Sequence, residues 1–411
     1  MAILNKLDPQ IAKLIKEEDK RQNEDIVLIA SENYSSAAVR EALGSRLTNK
    51  YSEGYSHKRY YSGNQVIDSI EDIARERATK LFGCKFANVQ AYSGSPANQA
   101  IYLALLEPGD TIMGLSLPHG GHLTHGWPVN FSGKFYKSVQ YEVDTKTEKL
   151  NLKKIAALAK KAKPKMIFTG ATAYPRVWDW REFAKIAKSV KAYLVADISH
   201  ISGLVVAGVH PSPFPYADIV MTTTHKTLRG PRGALILSNN EEIAQKIDKA
   251  VFPGLQGGPH DNQTAAIAVA LKEASSPAFK KYGAQIVKNA KELAKTLIAH
   301  QIHLVSGGTD NHLMLIDLGT KGASGKDIQN ALYEAGISTN KNTVPKETRS
   351  PFVTSGIRIG TPAITTRGMK EPQMRLIGSF IAQIIKDPEN ETLRKDIKKE
   401  VLQLTKRFPI P

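Results

Sequence analysis

Between Asn151 and Met221 short apolar runs alternate with amphipathic stretches, and this rhythm limits the possible folds more than any other property of the chain. Its spacing predicts helices over Asn151 to Ala162 and Trp180 to Val190. Around them it predicts strands over Lys165 to Thr169, Ala192 to Ala196 and Asp218-Ile-Val-Met221. Strands that take turns with helices pair in parallel, with helices on both faces of the sheet. In such sheets ligands bind beyond the carboxyl ends of the strands. Thr172, Asp197, His200 and Lys226 all fall just after strand-like runs, where that rule puts a site.

Lys226 follows the last of these runs, beside a histidine and three threonines. At the exit of a buried strand its amine would be desolvated and its pKa lowered. A neutral amine can attack an aldehyde and hold it as a Schiff base. A lone lysine among 56 lysines and arginines would be read as solvated, but Asp197-Ile-Ser-His200 ends a neighbouring strand. A buried lysine for the aldehyde and a buried aspartate for the pyridine nitrogen are what pyridoxal phosphate requires. Upstream, the strand Phe86-Ala-Asn-Val-Gln90 runs into Ser93-Gly-Ser-Pro-Ala-Asn98, a small-residue turn opening a helix. Free backbone N–H groups, hydroxyls and the helix dipole suit a phosphate there. A plain tight turn is the alternative, and Lys226 with Asp197 favours the phosphate.

Other stretches add organisation. Asp8-Pro9 caps a helix running through Ile11, Leu14 and Ile15 to Asn23. A strand from Ile26 to Ala30 and a helix from Ala37 to Arg46 follow. The helix Gln65 to Phe82 would bury Ile67, Ile70, Ile73, Ala74 and Leu81. Four tyrosines, Tyr51, Tyr55, Tyr60 and Tyr61, crowd a glycine-containing stretch that reads as a loop lining a polar cleft. Pro118-His-Gly-Gly-His-Leu-Thr-His125 invites a zinc reading. Without nearby cysteines, and with a glycine pair that suits close approach to a ligand, no metal is expected. Later come a helix from Pro277 to His300, a strand from His312 to Leu318 and a helix Ser324 to Ala335 capped by its serine. The strand Gly356 to Ile359 and helices Lys370 to Ile385 and Asn390 to Phe408 close the chain.

A length of 411 residues accommodates two domains. The expected division is an N-terminal helical arm over 1–47, a large cofactor-binding domain over 48–276 and a smaller domain over 277–411. The net charge of +17 would draw anionic ligands. Its lysines are spread out and no aromatic-interleaved motif accompanies them, which argues against nucleic acid. No apolar run is long enough to span a bilayer, and Met1 to Arg21 has no signal-peptide core. The single cysteine, Cys84, makes a reducing cytoplasm the expected location.

The stretch Thr222-Thr-Thr-His-Lys-Thr-Leu-Arg-Gly-Pro-Arg-Gly233 resembles the cofactor-lysine signature of serine hydroxymethyltransferases. The likeness extends from Leu28-Ile-Ala-Ser-Glu-Asn33 to Ser355-Gly-Ile-Arg-Ile-Gly-Thr-Pro-Ala-Ile364. It implies an aspartate-aminotransferase-like α/β fold: a large domain whose mostly parallel sheet is flanked by helices, and a smaller C-terminal α+β domain. It also implies reversible conversion of L-serine and tetrahydrofolate to glycine and 5,10-methylenetetrahydrofolate, by a homodimer with shared active sites.

Further roles follow from the same resemblance. Lys226 and Asp197 would hold pyridoxal phosphate with Ser93, Gly94, Ser95, Thr172, His200 and Arg232, while His122 stacks on its ring. Thr223 would tune the lysine, and His225 bears on reaction specificity. Tyr51, Gly257 and Gly258 would reach a neighbouring subunit's cofactor phosphate. Glu53 and Tyr61 are implied as acid–base and substrate-contacting groups. Arg358 offers a planar fork for the substrate carboxylate, near Ser31. Leu117, Gly121 and Leu123 would line the folate pocket, and Asn342 with Ser350, Pro351 and Phe352 matches the folate-contacting stretch. A folate-independent aldolase would share the lysine, aspartate and arginine but has no use for that pocket. The chain departs from the family pattern at Thr172, where serine is common, at Ser199 and Ser202 for alanine, and at Tyr92. Asp261-Asn262 likewise stands where Asn-His is frequent.

Overall fold

Continuous apolar strands need cover on both faces. In the computed structural model, which describes residues 2–411, the strands alternate between two cores. Ile167, Leu194, Ala196, Val220, Leu235 and Leu237 point into one. Phe168, Val195, Ile219, Met221 and Ile236 point into the other. The sheet has seven strands. Across it stand Phe86–Asn88, Ala234–Ser238, Ile219–Thr223, Tyr193–Asp197, Met166–Thr169, Thr111–Leu115 and Lys137–Tyr141. Only Ala234–Ser238 pairs antiparallel with its neighbours, so the sheet is mostly parallel, as the rhythm predicts.

The chain divides into two compact units. The unit with the large sheet holds Ser35–Val287 and Thr309–His312. The other holds the N-terminal residues through Tyr34, Lys288–Gly308 and Leu313–Pro411. The N-terminal segment joins it through Ile26–Val27, which pairs in parallel with Ile337–Ser338. Its main sheet is antiparallel, with Gly356–Gly360 between Leu313–Asp317 and Asn340–Asn342. Ile316, Ile357 and Ile359 pack there under Leu293, Leu332, Ile377 and Ile381 from the helices. The helix Gly325–Glu334 starts on a reciprocal capping box: the Asp327 amide donates to Ser324 Oγ and the Ser324 amide to Asp327 Oδ2.

Several boundaries shift for physical reasons. The strand expected over Ile26 to Ala30 is only Ile26–Val27, because its partner strand stops at Ser338. The helix expected to Arg46 ends at Leu43, and Arg46–Asn49 forms a separate tight turn. In the helix Gln65–Phe82 the buried set includes Asp68 and Glu71, while Ile73 is exposed. The acids are inside because Arg59 pairs with both. In the helix Pro9–Glu24 only Ala12 is buried, and Ile11, Leu14 and Ile15 lie on the surface. Among the described residues no helix is long and apolar enough to cross a membrane.

Candidate active site

The parallel strands deliver their loops to one edge of the large sheet, and Thr172, Asp197, His200 and Lys226 lie at those strand ends or on those loops. Ile219–Thr223 ends on Thr223, whose Oγ1 accepts a hydrogen bond from Lys226 Nζ at 2.8 Å. Tyr193–Asp197 ends on Asp197, which is buried. Its Oδ2 accepts from Asn98 Nδ2 and faces His125 Nε2, each at 3.1 Å. Its Oδ1 accepts the Ser199 hydroxyl at 2.6 Å and the Ser199 amide at 3.0 Å. Burial alone would raise this carboxyl; the hydrogen bond from His125, the imidazoles of His125 and His122, and Ser199 outweigh it and hold Asp197 well below the usual carboxylate range. The aspartate is therefore an anion at neutral pH.

Ser199 also links the two poles of the site. Its Oγ accepts the Thr223 amide at 3.0 Å, so the aspartate and the lysine's hydroxyl partner share one bridge. The helix Gly94–Leu105 begins beside them, with Ser93 at its cap and no side chain capping its first N–H groups. A Cβ on Gly94 would sit 2.6 Å from Thr223 Cγ2, so only glycine lets the helix start approach the lysine loop this closely. The reversed strand brings its amino end to the same edge, and Arg232 just before it lies 3.4 Å from His225 Nε2. Burial, with the charges of Lys226 and Arg232, brings the His225 imidazole down to about 3, so it is neutral. His225 Nδ1 is buried without a hydrogen-bond partner.

His122 stands in the turn after Thr111–Leu115, its Nδ1 2.8 Å from Thr124 Oγ1. Burial and the neighbouring His125 bring it to about 4, leaving a neutral ring suited to stacking. Thr172 donates to the carbonyls of Gly121 and Gly120 at 3.1 and 3.3 Å, fixing the turn that carries Leu117, Gly121 and Leu123. His200 is buried, with Nδ1 3.3 Å from His312 Nε2.

A second cluster forms around the tyrosine-rich loop. Tyr51 and Tyr61 meet edge to face at 5.1 Å, and the Tyr51 hydroxyl donates to Glu53 at 3.3 Å. A Cβ on Gly258 would lie 3.3 Å from the Tyr51 ring, and one on Gly257 3.1 Å from Glu53 Oε1. Tyr92, next to Ser93, donates to the Gly258 carbonyl at 2.7 Å and stacks on His260 at 4.0 Å. Asp261 accepts the Ser52 hydroxyl with both oxygens, at 2.7 and 2.9 Å, which gives that departure from the family pattern a structural use.

The smaller unit carries Arg358 on its central strand, directly across from Asn340. Arg358 Nε donates to Asn340 Oδ1 at 2.9 Å, and Nη2 lies 3.5 Å from Ser31 Oγ. Burial brings its guanidinium down to about 10, so it remains a cation at neutral pH. Asn342 ends the edge strand, and Ser350, Pro351 and Phe352 sit at the exposed tip of the loop that follows.

The side chains around Asp197 escaped the sequence. Asn98 and His125 are separated from it by 99 and 72 positions, and nothing in the local pattern marks either as its partner. The assembled residues fit pyridoxal phosphate: an amine beside a hydroxyl, a buried anion for the ring nitrogen and an uncapped helix start for phosphate.

Comparisons agree with this chemistry. The sequence profile described as serine hydroxymethyltransferase matches residues 4–381. The serine hydroxymethyltransferase of Acidothermus cellulolyticus is 57% identical over 417 residues, covering 100% of this chain and 97% of that protein. That of Methanosarcina barkeri is 56% identical over 410 residues, covering 100% of both. A family profile over most of its length and two relatives sharing more than half its residues make this chain a member of the serine hydroxymethyltransferase family.

Proposed function

We propose that Lys226, Asp197 and Arg358 divide the work of serine–glycine exchange in this chain. The reaction is the family's reversible transfer of serine's hydroxymethyl carbon to tetrahydrofolate, giving glycine and 5,10-methylenetetrahydrofolate. Pyridoxal phosphate, when bound, supplies the electron sink for the bonds broken at the amino acid's alpha carbon. Lys226, steadied by Thr223, would be the amine that holds the cofactor's aldehyde. Asp197 keeps a proton on the ring nitrogen, because the carboxylate is ionised and buried. Ser93, Gly94 and Ser95 take the phosphate at the helix start, and His122 stacks on the ring. Thr172, His200 and Arg232 complete the cofactor's surroundings.

Arg358 receives the substrate carboxylate through its planar fork, beside Ser31. Glu53 exchanges protons with the hydroxymethyl group, with Tyr61 alongside, and His225 stays a neutral neighbour of the lysine. Leu117, Gly121, Leu123, Asn342 and Ser350 to Phe352 contact the folate. The single observation that carries the reading is the bridge through Ser199, which ties the anion for the ring to the backbone amide of Thr223, the residue whose hydroxyl holds the lysine.

Replacing Lys226 by alanine tests it. Borohydride should fix the cofactor covalently to the parent protein and leave the variant unlabelled, and parental serine cleavage should depend on added tetrahydrofolate. Labelling of the variant would displace Lys226 from its role, and turnover of serine without folate would favour an aldolase instead.

The active form in this reading is a homodimer, in which Tyr51, Gly257 and Gly258 serve the neighbouring subunit. The apolar surface of Ile3, Leu7, Ile11, Leu14 and Ile15 supports burial against another copy. Specific activity should fall on dilution as monomers appear, and a fully active monomer is the outcome that rejects this. The cytoplasm, supported by the single cysteine, is the proposed location.

A further inference from the structure

The hairpin that carries Arg358 opens beyond Asn342 and Gly356, which face each other across the ladder. Residues 343–355 between them form neither helix nor strand, and Phe352 at the tip is 83% exposed. A loop of that kind is ordinarily mobile. Here one carboxylate ties residues 347–349 to the loop's far end at Ser355. Glu347 Oε1 accepts the amides of Thr348 and Arg349 at 3.0 and 2.9 Å and the Ser355 hydroxyl at 2.7 Å. Glu347 Oε2 accepts the Ser355 amide at 2.7 Å.

The neighbouring Arg349 fastens the same base to the rest of the unit. Its Nη2 donates to the carbonyls of Thr320 and Gly322, each at 3.0 Å, and its Nη1 to Ala323 at 3.3 Å. Only an acceptor with no hydrogens of its own can take four donors. A glutamine would set an NH2 group against one of these N–H groups.

We infer that Glu347 is the positioning residue for tetrahydrofolate, closing the 343–355 loop so that Ser350, Pro351 and Phe352 are held ready for the co-substrate. The inference rests on the proposed contact between that tip and folate. Glu347 does not touch the ligand; it removes the ordering cost that a loose loop would add to binding. Substrate selectivity follows, because Arg358 sits on the paired strands, whose ladder continues without Glu347. The clip therefore acts on folate and leaves serine alone.

The test compares Glu347→Gln with Phe352→Ala in the glycine-saturated holoenzyme. Calorimetry with tetrahydrofolate should show Glu347→Gln weakening its binding about tenfold, while KM for serine stays within about twofold. Hydrogen exchange should show the amides of Thr348, Arg349 and Ser355 losing protection. Unchanged exchange, unchanged folate affinity, or a serine KM that rises in step with it overturns the inference. Phe352→Ala separates the two layers. If it weakens folate binding and Glu347→Gln does not, the clip is wrong and the contact stands. If neither variant weakens it, the folate contact itself fails and takes the clip with it.

Discussion

Two loops carry candidate side chains, and they are pinned by opposite charges. The loop around Tyr51, Glu53 and Tyr61 is held by a cation. Arg59 donates to the carbonyls of Ser52 and Gly54 and pairs with Asp68 and Glu71, its side chain only 3% exposed. The loop around Ser350 to Phe352 is held by an anion, Glu347, which gathers N–H and O–H donors. A guanidinium suits a loop whose carbonyls turn inward, and a carboxylate suits one whose amides do. The larger difference is burial. Arg59 belongs to a buried network that continues through Gln90, whereas Glu347 lies at a half-exposed base. One loop is therefore part of the fold and the other is attached to it.

Breaking the cation should be the severe experiment. Arg59→Ala leaves Asp68 and Glu71 buried without their partner, which should cost about 3–5 kcal/mol in chemical denaturation. Arg59→Lys should recover only part, since an ammonium cannot serve two carboxylates and two carbonyls in one plane. Glu347→Gln should cost about 1 kcal/mol, because its donors can turn to water. Equal losses from the two substitutions would erase the distinction between an integral loop and an attached one.

Much of this arrangement was legible before any coordinates. Lys226, Asp197 and Thr172 could be placed because strand ends are marked locally, by the step from apolar runs to polar turns. The start of the helix at Gly94 and the cap at Ser324 were visible for the same reason. The network around Asp197 was legible only in part: Ser199 lies two residues away, but Asn98 and His125 reach it across 99 and 72 positions, and no spacing records that meeting. The buried face of the helix Gln65–Phe82 shows the same limit. Periodicity would place acids outside, and only Arg59, arriving from another element, explains why Asp68 and Glu71 are inside. Ile11, Leu14 and Ile15 show the converse, an apolar pattern that finds no cover within its own chain.

Acid sharpens the contrast between the loops with the smallest perturbation. The carboxyl of Glu347 is pulled below its ordinary 4.5: burial works against this, and the donors from Arg349, Ser355 and Thr348 prevail. A carboxyl whose folded pKa is depressed contributes stability that is complete above the unfolded value and fades as pH falls through the folded one. The 343–355 loop should therefore loosen only below about pH 4.5. In the other loop, burial raises the carboxyl of Asp261, which holds Ser52. A raised acid has the reverse sign: protonation at falling pH relieves a buried charge, and the neutral carboxyl still offers Ser52 an oxygen. Hydrogen exchange followed from neutral pH to about 4 should, after correction for intrinsic rates, show the amides of Thr348, Arg349 and Ser355 losing protection first, while those around Ser52 keep theirs. Loss in the opposite order would mean that the anion, and not the cation network, is the sturdier fastening.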